Sequence, residues 1–143
     1  MTTPIRILVP GAGGPGTINL CRSLRRAPEP VHLIGTDCDR AFATLAQTDE
    51  IHLVPPARDE NAYLERIQEL VHSRNVDVIL PNNSIEVRAL AKNRDDISAA
   101  MLVPPVAFLD LANSKWESYQ RWRDQNLPVP QTWLLEQPDD VHQ

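Results

Sequence analysis

The chain has 143 residues, a formal net charge of −5, 42% hydrophobic residues and 23% charged residues. That length holds one packed core, and that composition excludes the disordered and membrane-spanning classes. The acidic balance excludes a nucleic-acid-binding module, which would show a basic stripe.

Neither a signal peptide nor an apolar run of membrane length is present, so a cytoplasmic protein that meets no membrane is expected. Prolines outnumber glycines by 13 to 5, which predicts many elements stopped by a residue that fixes φ and cannot donate to a ladder. Cys21 and Cys38 have no C-x-x-C spacing and no histidines at ligand spacing. No metal site or disulfide is expected from them, and reduced thiols are the default.

The first strand is Ile5 to Val9, apolar without alternation and so buried on both faces. A helix from about Gly16 to Arg26 follows, then a strand from Val31 to Thr36 that ends in the acidic "TDCDR". A short strand, Glu50 to Val54, closes on Pro55 and Pro56. Tyr63, Leu64, Ile67, Leu70 and Val71 recur at helical spacing and predict a helix over Glu60 to Arg74, with Asp59 as N-cap and Asn75 just past its end.

The fourth strand is Val76 to Leu80, stopped by Pro81. Asn83 heads a shorter helix with Glu86 as its capping-box partner. The fifth strand, Met101 to Val103, stops at Pro104 and Pro105. Helices over Val106 to Ala112 and Lys115 to Gln125 come next, the second opened by Ser114 and Glu117 as a capping box and ended by Asn126. A final extended run, Val129 to Leu135, predicts one more strand.

Strands alternating with helices define an α/β protein. The expectation is a single Rossmann-like domain: a doubly wound parallel sheet of about five strands in the order 3-2-1-4-5, with helices on both faces. Ligands of such sheets collect outside the carboxyl ends of the strands, where the strand order switches. That places Gly11 to Gly16, Asp37, Asn82 and Asn83 on one edge, with Pro104 and Pro105 near it.

The loop "GAGGPG" matches G-x-G-x-x-G, and Asp37 lies about 20 residues beyond it, where a dinucleotide site holds its ribose-binding acid. An NAD(P)- or FAD-binding oxidoreductase domain is therefore one reading. Pro15 weakens it, because a proline in this turn removes an amide that would otherwise hold phosphate. Alternatively the glycines only permit a sharp strand-to-helix turn.

Lys115 sits in the first turn of its helix, where the macrodipole disfavours a cation. An anionic partner such as a nucleotide phosphate would explain it, and an exposed side chain in solvent would equally do so. Trp116, Tyr119, Trp122 and Trp133 suit a helix face packed in a core, on the sheet edge or on a neighbouring domain. The four histidines are scattered. Cys21 reads as inert packing, and Cys38, flanked by Asp37 and Asp39, as a poor nucleophile.

Taken together, "ILVPGAGGPGTINLCRSLR", "HLIGTDCDR", "NVDVILP", "LVPP" and "NSKWESYQRWRDQNLPVPQTW" resemble the N-terminal, pre-ATP-grasp domain of the ATP-grasp carboxylate-amine ligases, a superfamily that includes the carbamoyl-phosphate synthase large chain and biotin carboxylase. The resemblance runs from Ile5 to Thr132. It implies a Rossmann-like part over residues 1–112, then a linking helix and first strand over 113–143 leading towards an ATP-grasp domain. It implies substrate-binding roles for Gly11, Ala12, Gly13, Gly14, Asp37, Asn82 and Asn83, and contact with ATP for Lys115. Asp37 and Asp39 match an acidic strand end whose role varies in the family. Where many relatives carry an acidic pair after the fourth strand, this chain has Asn82, Asn83, Ser84 and then Glu86.

The family chemistry phosphorylates a carboxylate with ATP and lets an amine attack the acyl phosphate. Its second lysine and Mg²⁺-binding residues belong to later subdomains. The expected cofactors are thus ATP and Mg²⁺ in the full enzyme, with none held tightly by this chain. The expected partners are ATP-grasp domains in cis or on a separate subunit and a small-molecule carboxylate, with a homodimer possible. The chain itself is expected to be an excised domain or one piece of a split enzyme, inactive alone. A regulatory ligand-binding or interaction module is the third reading, supported by the exposure expected for Trp122 and Trp133.

Overall fold

The computed structural model describes residues 3–135. Its contacts divide the chain after Pro104 into two compact units. The first unit carries β1 (Ile5–Pro10), α1 (Pro15–Leu24), β2 (Val31–Asp37), α2 (Arg40–Ala43), β3 (Glu50–Leu53), α3 (Glu60–Ser73), β4 (Val78–Ile79), α4 (Ser84–Lys92), a 3₁₀ turn (Arg94–Asp96) and β5 (Ala100–Met101). All strand pairs are parallel and the order is β3-β2-β1-β4-β5, as the alternation of strands and helices predicts.

Successive residues of β1 face opposite sides of the sheet. Leu8 joins Ile34 and Ile79 under Tyr63, Leu64, Ile67, Leu70 and Val71 of α3 and Ala89 and Leu90 of α4. Ile7 and Val9 join Leu33 under Cys21, Leu20 and Leu24 of α1 on the other face. A strand covered on both faces must be apolar throughout, which is why β1 shows no alternation in sequence. The fold is therefore an α/β Rossmann-like sheet with helices on both faces.

Element ends hold most of the surprises. Asn75 takes φ +48° just past α3, in the left-handed region the sequence reserves for it. Asp59 precedes α3, yet its side chain accepts no capping hydrogen bond. β4 shrinks to two residues, but its flanks still bond to β1 through Asp77 N–H to Arg6 C=O and Leu80 N–H to Leu8 C=O. The helix α2 was not foreseen; the Asp39 carboxylate caps it, accepting from Ala41 N–H at 2.7 Å and Phe42 N–H at 3.3 Å.

At the amino end of the sheet Glu50 draws together four cationic or basic side chains. His32 Nε2 lies 3.1 Å and Arg6 Nη2 3.4 Å from its Oε1, while His52 Nε2 lies 2.8 Å and Arg74 Nε 3.0 Å from its Oε2. Arg74 pairs by charge, outside hydrogen-bond alignment. Arg6 Nε also donates to the Arg74 carbonyl. Although burial acts the other way, the hydrogen bonds from His52 and His32 and the charge of Arg74 leave the Glu50 carboxyl below its ordinary range.

The second unit holds α5 (Val106–Asn113) and α6 (Lys115–Asp124), which pack on each other. Ser114 Oγ accepts from Glu117 N–H at 3.2 Å, so the expected cap of α6 forms. Asn126 ends it at φ +54°. Trp116 stacks on Tyr119 with centroids 5.3 Å apart, and Arg123 lies over the Tyr119 ring. Trp122 and Trp133 are not core residues but are 52% and 64% exposed. Val129 to Leu135 forms no strand: no neighbouring backbone pairs with it among the described residues, and Pro128 and Pro130 deprive it of donors.

Candidate functional site

A cleft of about 530 Å³ opens at the carboxyl ends of β1, β2 and β4, where a doubly wound sheet reverses its strand order. Gly11, Gly14, Pro15 and Gly16 of the β1–α1 turn line it, with Asp37 to Asp39 after β2 and Asn82, Asn83 and Glu86 after β4. Of the residues expected to bind substrate, Gly11, Gly14, Asp37, Asn82 and Asn83 thus meet here. Ala12 and Gly13 lie beneath the surface, both buried. Pro104 is not among the lining residues. Lys115 is exposed at the first position of α6, in the second unit.

The turn is built by its own hydrogen bonds. Gly11 takes φ +60°, a conformation open to glycine at little strain. Ala12 N–H donates to Thr36 C=O at 2.9 Å, Gly13 N–H to Asp37 Oδ2 at 3.1 Å and Gly14 N–H to Gly11 C=O at 3.0 Å. Pro15, the first residue of α1, has no N–H. The amides of residues 12–14 that would cradle a pyrophosphate are therefore bonded inside the protein.

Asp37 is likewise engaged. Besides Gly13 N–H, it accepts Asp39 N–H on Oδ1 at 3.0 Å. It is a brace between β2 and the glycine turn, and both oxygens of the residue that a dinucleotide site would use on ribose hold backbone.

Glu86 is the residue that sequence reading placed wrongly. The capping-box spacing from Asn83 is present, and Asn83 Oδ1 does accept Ile85 N–H at 2.9 Å. The Glu86 side chain, however, turns inward: it is 8% exposed, and its Oε2 has no hydrogen-bond partner among the described residues. A Cβ on Gly11 would lie 3.0 Å from that oxygen. Burial first, and the charge of Asp37 second, push its carboxyl up to about 7. The sequence carries a second pattern that fits this as well as the capping box: Glu86 shares the inward face of α4 with Ala89 and Leu90 at spacings of three and four.

Tyr63 on α3 is fully buried, with a hydroxyl that has no hydrogen-bond partner among the described residues. Burial, then the nearby Glu86, raise its pKa. Cys38, though exposed, has its thiol held above its ordinary value by partial desolvation and then by Asp37, which disfavours the thiolate. Because the Tyr63 hydroxyl is buried with no hydrogen-bond partner among the described residues, Tyr63→Phe should raise the unfolding free energy by about 1 kcal/mol or more. Urea titration of the two proteins checks this, and a loss would mean that the hydroxyl has a structural partner.

This geometry is that of a Rossmann-like α/β domain whose glycine turn faces a cleft. The chain belongs to the family of PylC-like N-terminal domains, whose profile matches residues 7–104. No curated protein sequence matches it. Among solved structures it is similar to the L-amino acid ligase from Bacillus licheniformis, with TM-score 0.64 and 10% identity over 91% of this chain and 32% of that one. It is also similar to the biotin carboxylase domain of the Hydrogenobacter thermophilus 2-oxoglutarate carboxylase, solved with MgADP, ADP and bicarbonate, with TM-score 0.54 and 16% identity over 90% of this chain and 29% of that one. The UDP-D-quinovosamine 4-dehydrogenase of Vibrio fischeri shares the sheet at TM-score 0.50 and 19% identity, over 78% of this chain and 85% of that one. At these identities the shared feature is the fold, and the chain spans about a third of the ligase and of the biotin carboxylase domain.

Proposed function

We propose that the chain is the substrate-binding N-terminal domain of an ATP-dependent carboxylate-amine ligase, and that its cleft receives substrate and not a nucleotide. The observation that supports this most is the glycine turn. Its amides at 12, 13 and 14 are bonded internally, Pro15 has none, and Asp37 is occupied on both oxygens. A turn so engaged braces a cleft and leaves a pyrophosphate only the N–H groups of Gly16 and Thr17 at the start of α1, fewer donors than an open glycine turn offers, which counts against the NAD(P) or FAD reading.

In this reading ATP and Mg²⁺ are bound by ATP-grasp domains supplied in cis or by another subunit. The described residues contain no group of three ligand-type side chains placed to hold a metal, and only Lys115 would reach towards the nucleotide. The exposed Trp122 and Trp133 of the second unit, with Leu127, Leu134 and Leu135 beside them in sequence, offer those domains an apolar contact. An interaction module without catalysis is favoured by the same residues, and the two readings part on chemistry.

The purified chain should release no phosphate from ATP with any amino acid present, and should not enhance NADH fluorescence. Joined to ATP-grasp domains it should form ADP only when carboxylate and amine are both supplied. There Lys115→Ala should raise KM for ATP about tenfold, as loss of one phosphate contact does. ATP hydrolysis by the isolated chain, or saturable NADH binding, would overturn the proposal.

A further inference from the structure

The cleft carries one sign of charge. Its charged lining residues are Asp37, Asp39 and Glu86, and neither lysine, arginine nor histidine lines it. The three carboxylates differ in what they have left to offer. Asp37 is spent on Gly13 and Asp39 N–H groups, and Asp39 on the cap of α2. Of the three, Glu86 alone has a buried oxygen with no hydrogen-bond partner among the described residues; this oxygen lies against Gly11, and the residue lines the cleft. A glutamate is almost never buried to this extent unless something pairs with it.

We propose that the cleft binds the primary ammonium group of its ligand, held by the Glu86 carboxylate, with Asp37 and Asp39 contributing field and Asn82 and Asn83 rim contacts. This rests on the reading of the cleft as the substrate site, and names the chemistry of that substrate's docked end. An ammonium has three donors and supplies the positive charge that the side chains lining the cleft lack. A carboxylate or phosphate would find the N–H groups of Gly16 and Thr17 at the start of α1, but it would also meet three acidic side chains and a turn whose amides at 12, 13 and 14 are taken. The exposed ring of Phe42 also lines the cleft and gives an aliphatic stem something to lie on.

The proton follows from the surroundings. The titratable groups that face Glu86 are Asp37 after β2 and Tyr63 on α3, with Cys38 beyond. None of these is a cation, so without ligand a proton on Glu86 relieves its burial. An arriving ammonium takes over that neutralising role, and the proton leaves to solvent. Binding should therefore weaken as pH falls from 8 to 5.5.

The test uses the ¹⁵N-labelled chain and n-butylammonium chloride at constant ionic strength, with n-butanol, acetate and inorganic phosphate as comparison probes. Saturable shifts of the Gly11, Gly14, Asp39 and Glu86 amides are expected with butylammonium only. Affinity should fall about tenfold in Glu86→Gln, and by a similar factor at pH 5.5. Glu86→Gln removes a buried charge and keeps the shape, and a dispersed spectrum shows that it folds. Equal binding by Glu86→Gln, absence of saturable shifts with butylammonium, or stronger shifts with acetate or phosphate would each overturn the proposal. Because only the isolated chain is used, its failure leaves the ligase reading to the joined-protein assay. An inactive joined protein whose cleft still binds butylammonium would sink the ligase reading alone.

Discussion

Gly13→Val should cost the sheet domain several kcal/mol and leave much of the chain unfolded at 37 °C. Gly13 is buried against α2, where a Cβ would fall inside the Phe42 carbonyl group and 2.9 Å from Phe42 Cα. Those are backbone atoms. They cannot swing aside as the end of a side chain can, so the whole segment capped by Asp39 would have to move. That movement would strip Asp37 of its Gly13 N–H and loosen the brace between β2 and the glycine turn. The comparison is Gly14→Ala, at φ −71° with its nearest obstacle, Gly11 C=O, at 3.2 Å. It should stay within about 1 kcal/mol of the parent. Urea unfolding of both variants decides the matter, and equal losses would mean that the close approach to Phe42 is not what requires glycine here.

The second large effect is a pH-dependent gain. The folded carboxyl of Glu86 titrates at about 7 against an ordinary 4.5, so the folded chain holds this proton more tightly than the unfolded one. Below pH 4.5 both states carry it and Glu86 makes no difference. As pH rises from 4.5 to about 7 the folded chain loses stability relative to the unfolded one, by about 3 kcal/mol in all. Glu86→Gln should therefore match the parent at pH 4 and exceed it by about 3 kcal/mol at pH 8, read as a difference in thermal midpoint that opens across that window. Glu50, whose carboxyl is lowered, contributes in the opposite sense and acts below the same window. Parallel stability profiles for parent and variant would show that Glu86 is solvated in the folded chain.

The sheet was legible because its signals are redundant. Each strand is an apolar run closed by proline or an acidic turn, and the order follows from alternation with helices. The left-handed Asn75 and Asn126 and the Ser114 cap were legible for a local reason, since a few neighbouring residues decide them. Three features were not. The helix α2 is a single turn with no apolar period to announce it. Val129 to Leu135 has the composition of a strand, but a strand exists only where another backbone receives its hydrogen bonds. Glu86 fits two patterns at once, a capping box and an inward helix face. Spacing cannot say which way the side chain rotates, and the packed structure chooses the second.

The proline pairs bear on more than where strands stop. Among the described residues β3 and β5 are the outermost strands of the sheet, and each leads into a Pro-Pro pair, Pro55 and Pro56 after β3 and Pro104 and Pro105 after β5. An unpaired edge is a template on which a second copy can add its own strand, the first step towards aggregation. Edges of four and two residues, followed by backbone that cannot donate, give such a copy almost nothing to grip. Four of the 13 prolines of this chain thus stand where either outer strand would otherwise run on.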